Sequence, residues 1–419
     1  MTVHGTTAAP EITAVVPTVG RSPWLAACLR ALRRQADAAS LEILVVDQAP
    51  QPLALPPGLA DRVLRPERNL GFAGGTNLGL AAARGELLAT VNDDAVVGPG
   101  WLAALTAALR GDPRAAAAQG INTLAGPAGM EAGVGDGSGG GGGDGPRPGD
   151  RMGQDEPERI DGCGLGWNRW WQAIQIGHGE PLPPPGGNLA PVSPAASGLA
   201  PDPPADSSSA PLPPVSFDLA PSTRAAGGAV AAVEIFGVSA TAALFRRSAL
   251  ERVALGGQVF DPRLVSYYED SELAGRLRAA GFSALLVPAA RARHLGSASG
   301  RTAAAARERW RLIYGNRYLA AARLLGRGLW PRLPLMLLRD LLDVVGPAAL
   351  LHALLRRDRR LLPGDHETGP GARRGRLSGM AAGWARALRH LPAFAHTGLP
   401  APSRAEVTRL SRWPARWQP

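Results

Sequence analysis

The stretch from Glu67 to Leu102 constrains this chain most, because a Gly-rich segment, an Ala-rich helical segment and an apolar strand follow one another there without a break. Gly71, Gly74 and Gly75 offer no side chain to obstruct a ligand and reach positive φ without strain, so Gly71 to Gly75 reads as a turn. A helix from about Thr76 to Arg84 is expected after it. The run Leu87 to Val91 then reads as a strand, and it delivers Asn92, Asp93 and Asp94 at its carboxyl end. In an open α/β sheet, ligands sit outside the carboxyl ends of the strands, so carboxylates at that point can face a bound metal or a phosphate. Neither half is specific alone: Gly-rich turns are usually only turns, and Asp at a strand end often caps the next helix.

The amino-terminal residues supply a matching edge. Ile12 to Val16 is a short β-branched run ended by Pro17, Ser22-Pro23 opens a helix over Trp24 to Leu32, and Glu42 to Val46 is a second apolar strand closed by Asp47. Strand, helix, strand is a βαβ unit, which brings Pro17, Thr18 and Asp47 to the same carboxyl edge. A carboxylate at Asp47 suits a hydrogen bond to a base or a ribose hydroxyl.

The segment Asn69-Leu70-Gly71-Phe72-Ala73-Gly74-Gly75-Thr76-Asn77, followed by Asn92-Asp93-Asp94, resembles the inverting family 2 glycosyltransferases. Within them it is most similar to the bacterial rhamnosyltransferase-like branch that builds cell-surface polysaccharides. An opening strand ending in Pro17-Thr18 and a second ending in Val-Val-Asp47 fit the same family, although Gln48-Ala49-Pro50 stands where an Asn and a Ser or Gly turn usually follow. The resemblance implies an α/β GT-A fold, a nucleotide-sugar donor and a divalent cation, Mn or Mg. It implies that Pro17, Thr18, Asp47, Asn69, Gly71, Gly74, Asn77, Asn92 and Asp93 frame the donor nucleotide. Asp94 is the implied cation ligand, with Asn92 at the place where the family's Asp-X-Asp motif usually starts.

Further on, Tyr268, Glu269, Asp270, Glu272, Leu273, Arg276 and Gly281 resemble the family's Tyr-Glu-Asp-X-Asp/Glu-Leu-X-X-Arg pattern, whose Asp is the general base. Without that resemblance, the acidic residues read simply as favourable charges at a helix amino terminus. Inverting transfer is an in-line displacement at the anomeric carbon, so the acceptor hydroxyl must lose a proton as it attacks, and a positioned carboxylate can take it. Asp270 is the residue expected in that role, with Glu269 as second candidate. The resemblance also implies that His294, after Arg291-Ala292-Arg293, reaches the metal or the diphosphate; a lone His is otherwise as often a packed residue. Asn316-Arg317 fits the family as well.

Composition bounds the rest. Gly and Pro account for 53 and 39 of the 419 residues, nearly double their usual share, so part of the chain is not expected to be compact. Two stretches stand out, the Gly-rich 125–157 and the Pro-rich 181–221, and both read as disordered insertions in a GT-A domain spanning residues 10–325. Between them, Trp167, Trp170 and Trp171 suggest a small hairpin, and they suit either sugar stacking or structural packing. The net charge is +10 and every basic residue is Arg, a balance that fits an anionic substrate or membrane surface as well as it fits nucleic acid. With an acidic site to account for, no nucleic-acid partner is expected.

Residues 326–419 read as a helical, Arg-rich tail. Pro331, Pro334, Arg339, Asp340, Asp343 and Pro347 interrupt its Leu-rich part, so it contains no run of about 20 uncharged apolar residues. A hydrophobic stripe edged by Arg instead suits packing on the domain or peripheral membrane contact. Cys28 and Cys163 show no disulfide framework or metal spacing, and the first ten residues show no export signal. The expected location is therefore the cytoplasm, at the inner face of the plasma membrane, with a saccharide or lipid-linked acceptor. A nucleotidyltransferase would also need a Gly-rich turn and an acidic metal site, but the basic nucleotide-gripping motif it should carry near the first strand is not found. A non-catalytic Arg-rich binding protein leaves Asp94 and Asp270 without a role.

Overall fold

The computed structural model describes residues 9–35, 40–124, 158–182, 231–295, 303–345, 370–395 and 404–411. The 125–157 insertion, and all but the first two residues of the 181–221 insertion, lie outside the described residues, as does Arg356 to Arg360.

Four parallel strands form one half of the central sheet: β1 (Ile12–Thr18), β2 (Leu41–Asp47), β3 (Arg62–Leu64) and β4 (Leu87–Val91). β1, β2 and β4 are buried, largely apolar runs because strands covered on both faces have no solvent side to alternate with, whereas the edge strand β3 is partly exposed. Alternate residues serve opposite cores: Ile12, Ala14 and Val16 face one hydrophobic cluster and Val15 the other. The other half comprises β6 (Ala115–Leu124), β10 (Val233–Ile235), β11 (Ala242–Arg246) and β12 (Ser283–His294). The order is β10-β12-β6-β11-β4-β1-β2-β3, with β11 antiparallel to both β4 and β6. Two short strands complete the sheet, β5 (Ala95–Val97) on β12 and β7 (Arg159–Gly162) on β6. The expected hairpin around Trp167 is a separate ribbon of β8 (Leu165–Trp167) and β9 (Ala173–Gln175).

One face of the sheet is covered by α1 (Leu25–Arg33) and α3 (Trp101–Gly111), whose Leu29, Leu32, Trp101 and Leu105 are buried in the first cluster. The other face carries α2 (Gly71–Ala82), α4 (Arg247–Val253) and α5 (Glu269–Ala279). A third core lies outside the sheet. There α6 (Ala303–Leu325) packs along α8 (Pro370–Ala395), with α7 (Leu333–Val345) and α9 (Arg404–Ser411) beside them, around Tyr318, Leu391, Phe394, Trp167 and Trp171. The α/β class and the helical carboxyl-terminal region are therefore as the sequence led one to expect. Among the described residues, no helix is long and apolar enough to cross a membrane.

The Gly-rich stretch departs from its sequence reading: α2 starts at Gly71 itself, so what looked like a turn is the first turn of a helix. Glycine is a poor helix former alone, but here the glycines permit close packing that outweighs propensity. A Cβ on Gly79 would stand 2.3 Å from Val15 Cγ1, so only Gly lets α2 lie on β1. Strand β12 continues past a register shift after Leu286 as far as His294, because β6 and β5 both pair with its last residues.

Candidate active site

The carboxyl ends of β1 and β4 meet at Asp93. Thr18 Oγ1 donates to Asp93 Oδ2 at 2.5 Å, and Ser22 Oγ donates to the Asp93 carbonyl at 2.9 Å. Burial, reinforced by the neighbouring Asp94 charge, pushes the Asp93 carboxyl up to about 6 against the opposing pull of the Thr18 hydroxyl.

Asp94 faces the other way, toward His294. The antiparallel register of β5 on β12 sets Ala95 opposite His294, and the imidazole Nε2 lies 3.2 Å from Asp94 Oδ1. On its far side, His294 Nδ1 is 2.9 Å from Asp161 Oδ2. Asp161 sits in β7, at the end of β6, and is also in contact with His178. Burial alone would depress the His294 pKa, but its bonds to Asp161 and Asp94 outweigh burial and raise it to about 10. Asp161 is buried yet held well below the usual carboxylate range by hydrogen bonds from His178 and His294.

This donor set suits a hard divalent cation. Asp94 Oδ1 and His294 Nε2 lie 3.2 Å apart, Asp161 fixes the ring orientation as carboxylates commonly do behind a ligating His, and the nearby Asn92 Oδ1 is buried without a hydrogen-bond partner, so a cation held here would displace the proton that His294 now directs at Asp94. Among the described residues no three His, Cys, Asp or Glu side chains gather to hold a metal. Asp161 is absent from the sequence reading because it follows the Gly-rich insertion; its only local signal is the Arg-Ile-Asp-Gly strand around it.

The residues expected on the donor nucleotide divide into two groups. Thr18, Asn92 and Asp93 come together at the β1 and β4 ends, with Pro17 in β1 just before Thr18. Asp47 is buried and already engaged, accepting from Ala49 N at 2.9 Å, Leu53 N at 3.0 Å and Arg65 Nη1 at 2.6 Å. It therefore holds the loop after β2 in place. Asn69 Oδ1 accepts from Gly71 N at 2.8 Å, and Gly71, at φ +73°, lies against Val265. Gly74 faces Leu70. Asn77 points away, into the core, where it exchanges two hydrogen bonds with the Phe260 backbone at 2.7 and 2.9 Å. Gln48, which departs from the family pattern, ties the end of β2 to the start of α2, since its Oε1 accepts from Leu70 N at 2.8 Å.

The second acidic pair opens α5. Asp270 Oδ1 accepts from Ser271 N at 2.7 Å and is stabilised by the Ala240 N–H and the Ser239 hydroxyl, which oppose but do not cancel the upward push of burial on its pKa. Ser239 to Thr241 is the segment that connects the two acidic motifs. It touches Asp270 on one side, and on the other its Ala240 and Thr241 carbonyls accept from Thr90 Oγ1 at 2.9 Å and Asn92 N at 2.8 Å. In the sequence, the small polar residues Ser239 and Thr241 are the only local sign of this role. Just before α5, Val265, Tyr267 and Tyr268 all have positive φ, of 63°, 68° and 71°, a conformation that costs a side-chain-bearing residue about 1–3 kcal/mol.

Glu269 is buried, and its Oε2 has no hydrogen-bond partner. Burial first, then the Asp270 charge, pushes its carboxyl well above the usual range. A folded-state pKa above the unfolded one means that the folded chain holds the extra proton between the two values. Glu269 therefore favours folding on the acid side, and that contribution is lost as pH rises through the raised pKa. Glu269→Gln is expected to remove this pH slope and raise the denaturant midpoint at alkaline pH; an unchanged slope in urea titrations across pH 5 to 9 would contradict it.

Trp167 and Trp171 are buried in the third core and Trp170 is half-buried, which gives the first two a packing role.

Residues 13–123 match the family model "Glycosyl transferase family 2". The matched segment runs from β1 through β6 and so contains the Gly-rich helix and Asn92-Asp93-Asp94, while Asp161, Glu269, Asp270 and His294 lie outside it. No curated protein matches the sequence. Solved structures with some likeness include GalNAc-T7 with UDP, GalNAc and Mn2+, at 14% identity, covering 94% of this chain and 59% of that one with a TM-score of 0.46. S. aureus TarS shares 14% identity over 76% of this chain and 43% of its own, with a TM-score of 0.37. The mannosyltransferase PcManGT from Pyrobaculum calidifontis, in complex with GDP-Man and Mn2+, shares 16% identity over 91% of this chain and 87% of its own, with a TM-score of 0.39. The chain thus spans 59% and 43% of the length of the first two. At these identities and scores the likenesses carry no residue-level information.

Proposed function

We propose that the chain is an inverting glycosyltransferase that moves a sugar from a nucleotide-sugar donor to a hydroxyl of a saccharide or lipid-linked acceptor. The observation that carries this reading is the Ser239 to Thr241 segment, which touches Asp270 on one side and Asn92 on the other. This bridge supports reading the Asn92 strand end and the α5 carboxylates as two sides of one site. The motif resemblance supports a place in bacterial cell-surface polysaccharide synthesis, in the rhamnosyltransferase-like branch.

In this mechanism Asp270 takes the proton of the acceptor hydroxyl while the acceptor oxygen bonds to the anomeric carbon from the face opposite the leaving group. The bond from that carbon to the diphosphate breaks, and its electron pair leaves with the diphosphate. Asp94 and His294 would hold a divalent cation, Mn or Mg, which when bound neutralises charge on the diphosphate. Asp161 keeps the His294 ring turned toward Asp94, and Thr18 orients Asp93 beside it.

Incubation with a panel of nucleotide sugars tests the reading directly. The expected result is release of nucleoside diphosphate from at least one donor, lost on chelation and restored by manganese or magnesium. Release of inorganic pyrophosphate instead would indicate nucleotidyl transfer, and no product from any donor would overturn the proposal. Peripheral contact with the inner face of the plasma membrane belongs to the same reading. It is supported by α7, where Leu335, Leu338 and Leu341 are exposed on the helix that follows exposed Trp330.

A further inference from the structure

The loop that leads into Glu269 and Asp270 has carbonyls that no strand or helix accounts for, and two side chains from the helical region collect them. Asn316, in the middle of α6, is fully buried. Its Nδ2 faces the carbonyl oxygens of Leu264, Ser266 and Tyr267 at 2.7, 2.8 and 2.8 Å. Its Oδ1 accepts from Arg386 Nη1, and Arg386 Nη2 donates to the Arg263 carbonyl. A guanidinium donates only, so with Arg386 on Oδ1 the Asn316 amide group must turn its N–H bonds toward the loop.

Arg386 reaches this position because α8 lies unusually close to α6. A Cβ on Gly383 would stand 2.6 Å from the Arg311 carbonyl and 2.8 Å from Gly315 N, and one on Gly379 would stand 2.7 Å from the Arg307 carbonyl. Glycine at these places allows backbone to approach backbone and brings Arg386 within reach of Asn316. On its other side the same loop grips the start of α2: Ala73 N donates to the Val265 carbonyl at 2.9 Å, and Phe72 N to Ser266 Oγ at 3.3 Å. Positive φ at Val265, Tyr267 and Tyr268 is a conformation that persists only where surrounding contacts impose it.

From this arrangement we infer that Arg386 and Asn316 are positioning residues: through them the carboxyl-terminal helix α8 holds loop 263–268, and with it the α5 carboxylates, at a set distance from the start of α2. The inference rests on the proposed role of Asp270 as base. A 1 Å misplacement of a reacting group is enough to cost about 100-fold in rate, so loss of this hold should appear in turnover and not in donor binding.

The experiment compares full-length wild type with Arg386→Met, which keeps the apolar stem, and Arg386→Lys, which keeps the charge but lacks the two-pronged fork. Two readouts are taken: amide hydrogen exchange of residues 263–271, and kcat and donor KM with an active nucleotide sugar. In Arg386→Met, exchange in that segment is expected to rise on the order of 10-fold while β1, β2 and β4 keep their protection. Its kcat is expected to fall roughly 10–100-fold with donor KM within about threefold, and Arg386→Lys should fall between it and wild type. Unchanged exchange in 263–271 would overturn the inference, as would faster exchange with unchanged kcat. Faster exchange throughout the sheet would also overturn it, since that marks general destabilisation. If wild type transfers no sugar, the functional proposal fails, and the exchange result alone decides whether Arg386 holds the loop.

Discussion

Asp270→Asn is expected to lower turnover roughly 10²–10⁴-fold while leaving donor affinity near wild type. Asn has nearly the same shape and still accepts from Ser271 N through one oxygen, but it cannot take a proton at neutral pH. The upward push of burial on Asp270 makes its carboxylate a stronger base than an exposed one, while hydrogen bonds from Ser239, Ala240 and Ser271 oppose that push by favouring the ionised form. If Asp270 served only the helix amino terminus, Asn would be nearly as good there and activity would survive. Turnover within a few-fold of wild type would remove Asp270 from the mechanism and leave Glu269 as the candidate.

The other large effect is expected on the opposite side of the sugar. Asp94→Ala removes one of the two groups proposed to hold the cation, and it leaves His294 paired with Asp161. Losing a direct ligand should cost more than the 10–100-fold in metal affinity typical of losing an outer hydrogen-bond partner. Nucleoside diphosphate affinity in the presence of manganese should therefore fall by more than about 100-fold, while affinity in the presence of chelator changes little. Isothermal titration with and without manganese separates the two; equal affinities for wild type and variant with manganese would count against Asp94. Since the site is assembled from strand ends, the variant should keep its fold, which a melting curve checks.

Much of this arrangement was legible in the residues. The apolar runs of β1, β2 and β4 announced buried parallel strands, and their polar carboxyl ends, Thr18, Asp47 and Asn92-Asp93-Asp94, announced an edge suited to a ligand. The Glu269-Asp270 pair stood out by its acidity at a helix start. What periodicity could not supply was orientation. Asp47 and Asn77 occupy the expected elements, yet Asp47 is satisfied by its own loop and Arg65, and Asn77 by the Phe260 backbone. Whether a polar side chain faces a ligand or a buried peptide group depends on neighbours distant in the chain, here 18 to 183 residues away.

The sequence alone thus determined the α/β class, the opening βαβ unit and the two acidic motifs, because local hydrophobic pattern and strand-end chemistry are written in contiguous residues. The tertiary structure decided the rest. Helix α2 begins at Gly71 and not at Thr76, because close packing on β1 outweighs the low helix propensity of glycine. Asp161 stands behind His294 because β7 pairs with β6 beyond a long insertion. Arg386, more than a hundred residues after Asp270 in the chain, meets the loop before it because glycines let two helices touch. Each of these depends on which surfaces are brought into contact, and no local property of the residues records that.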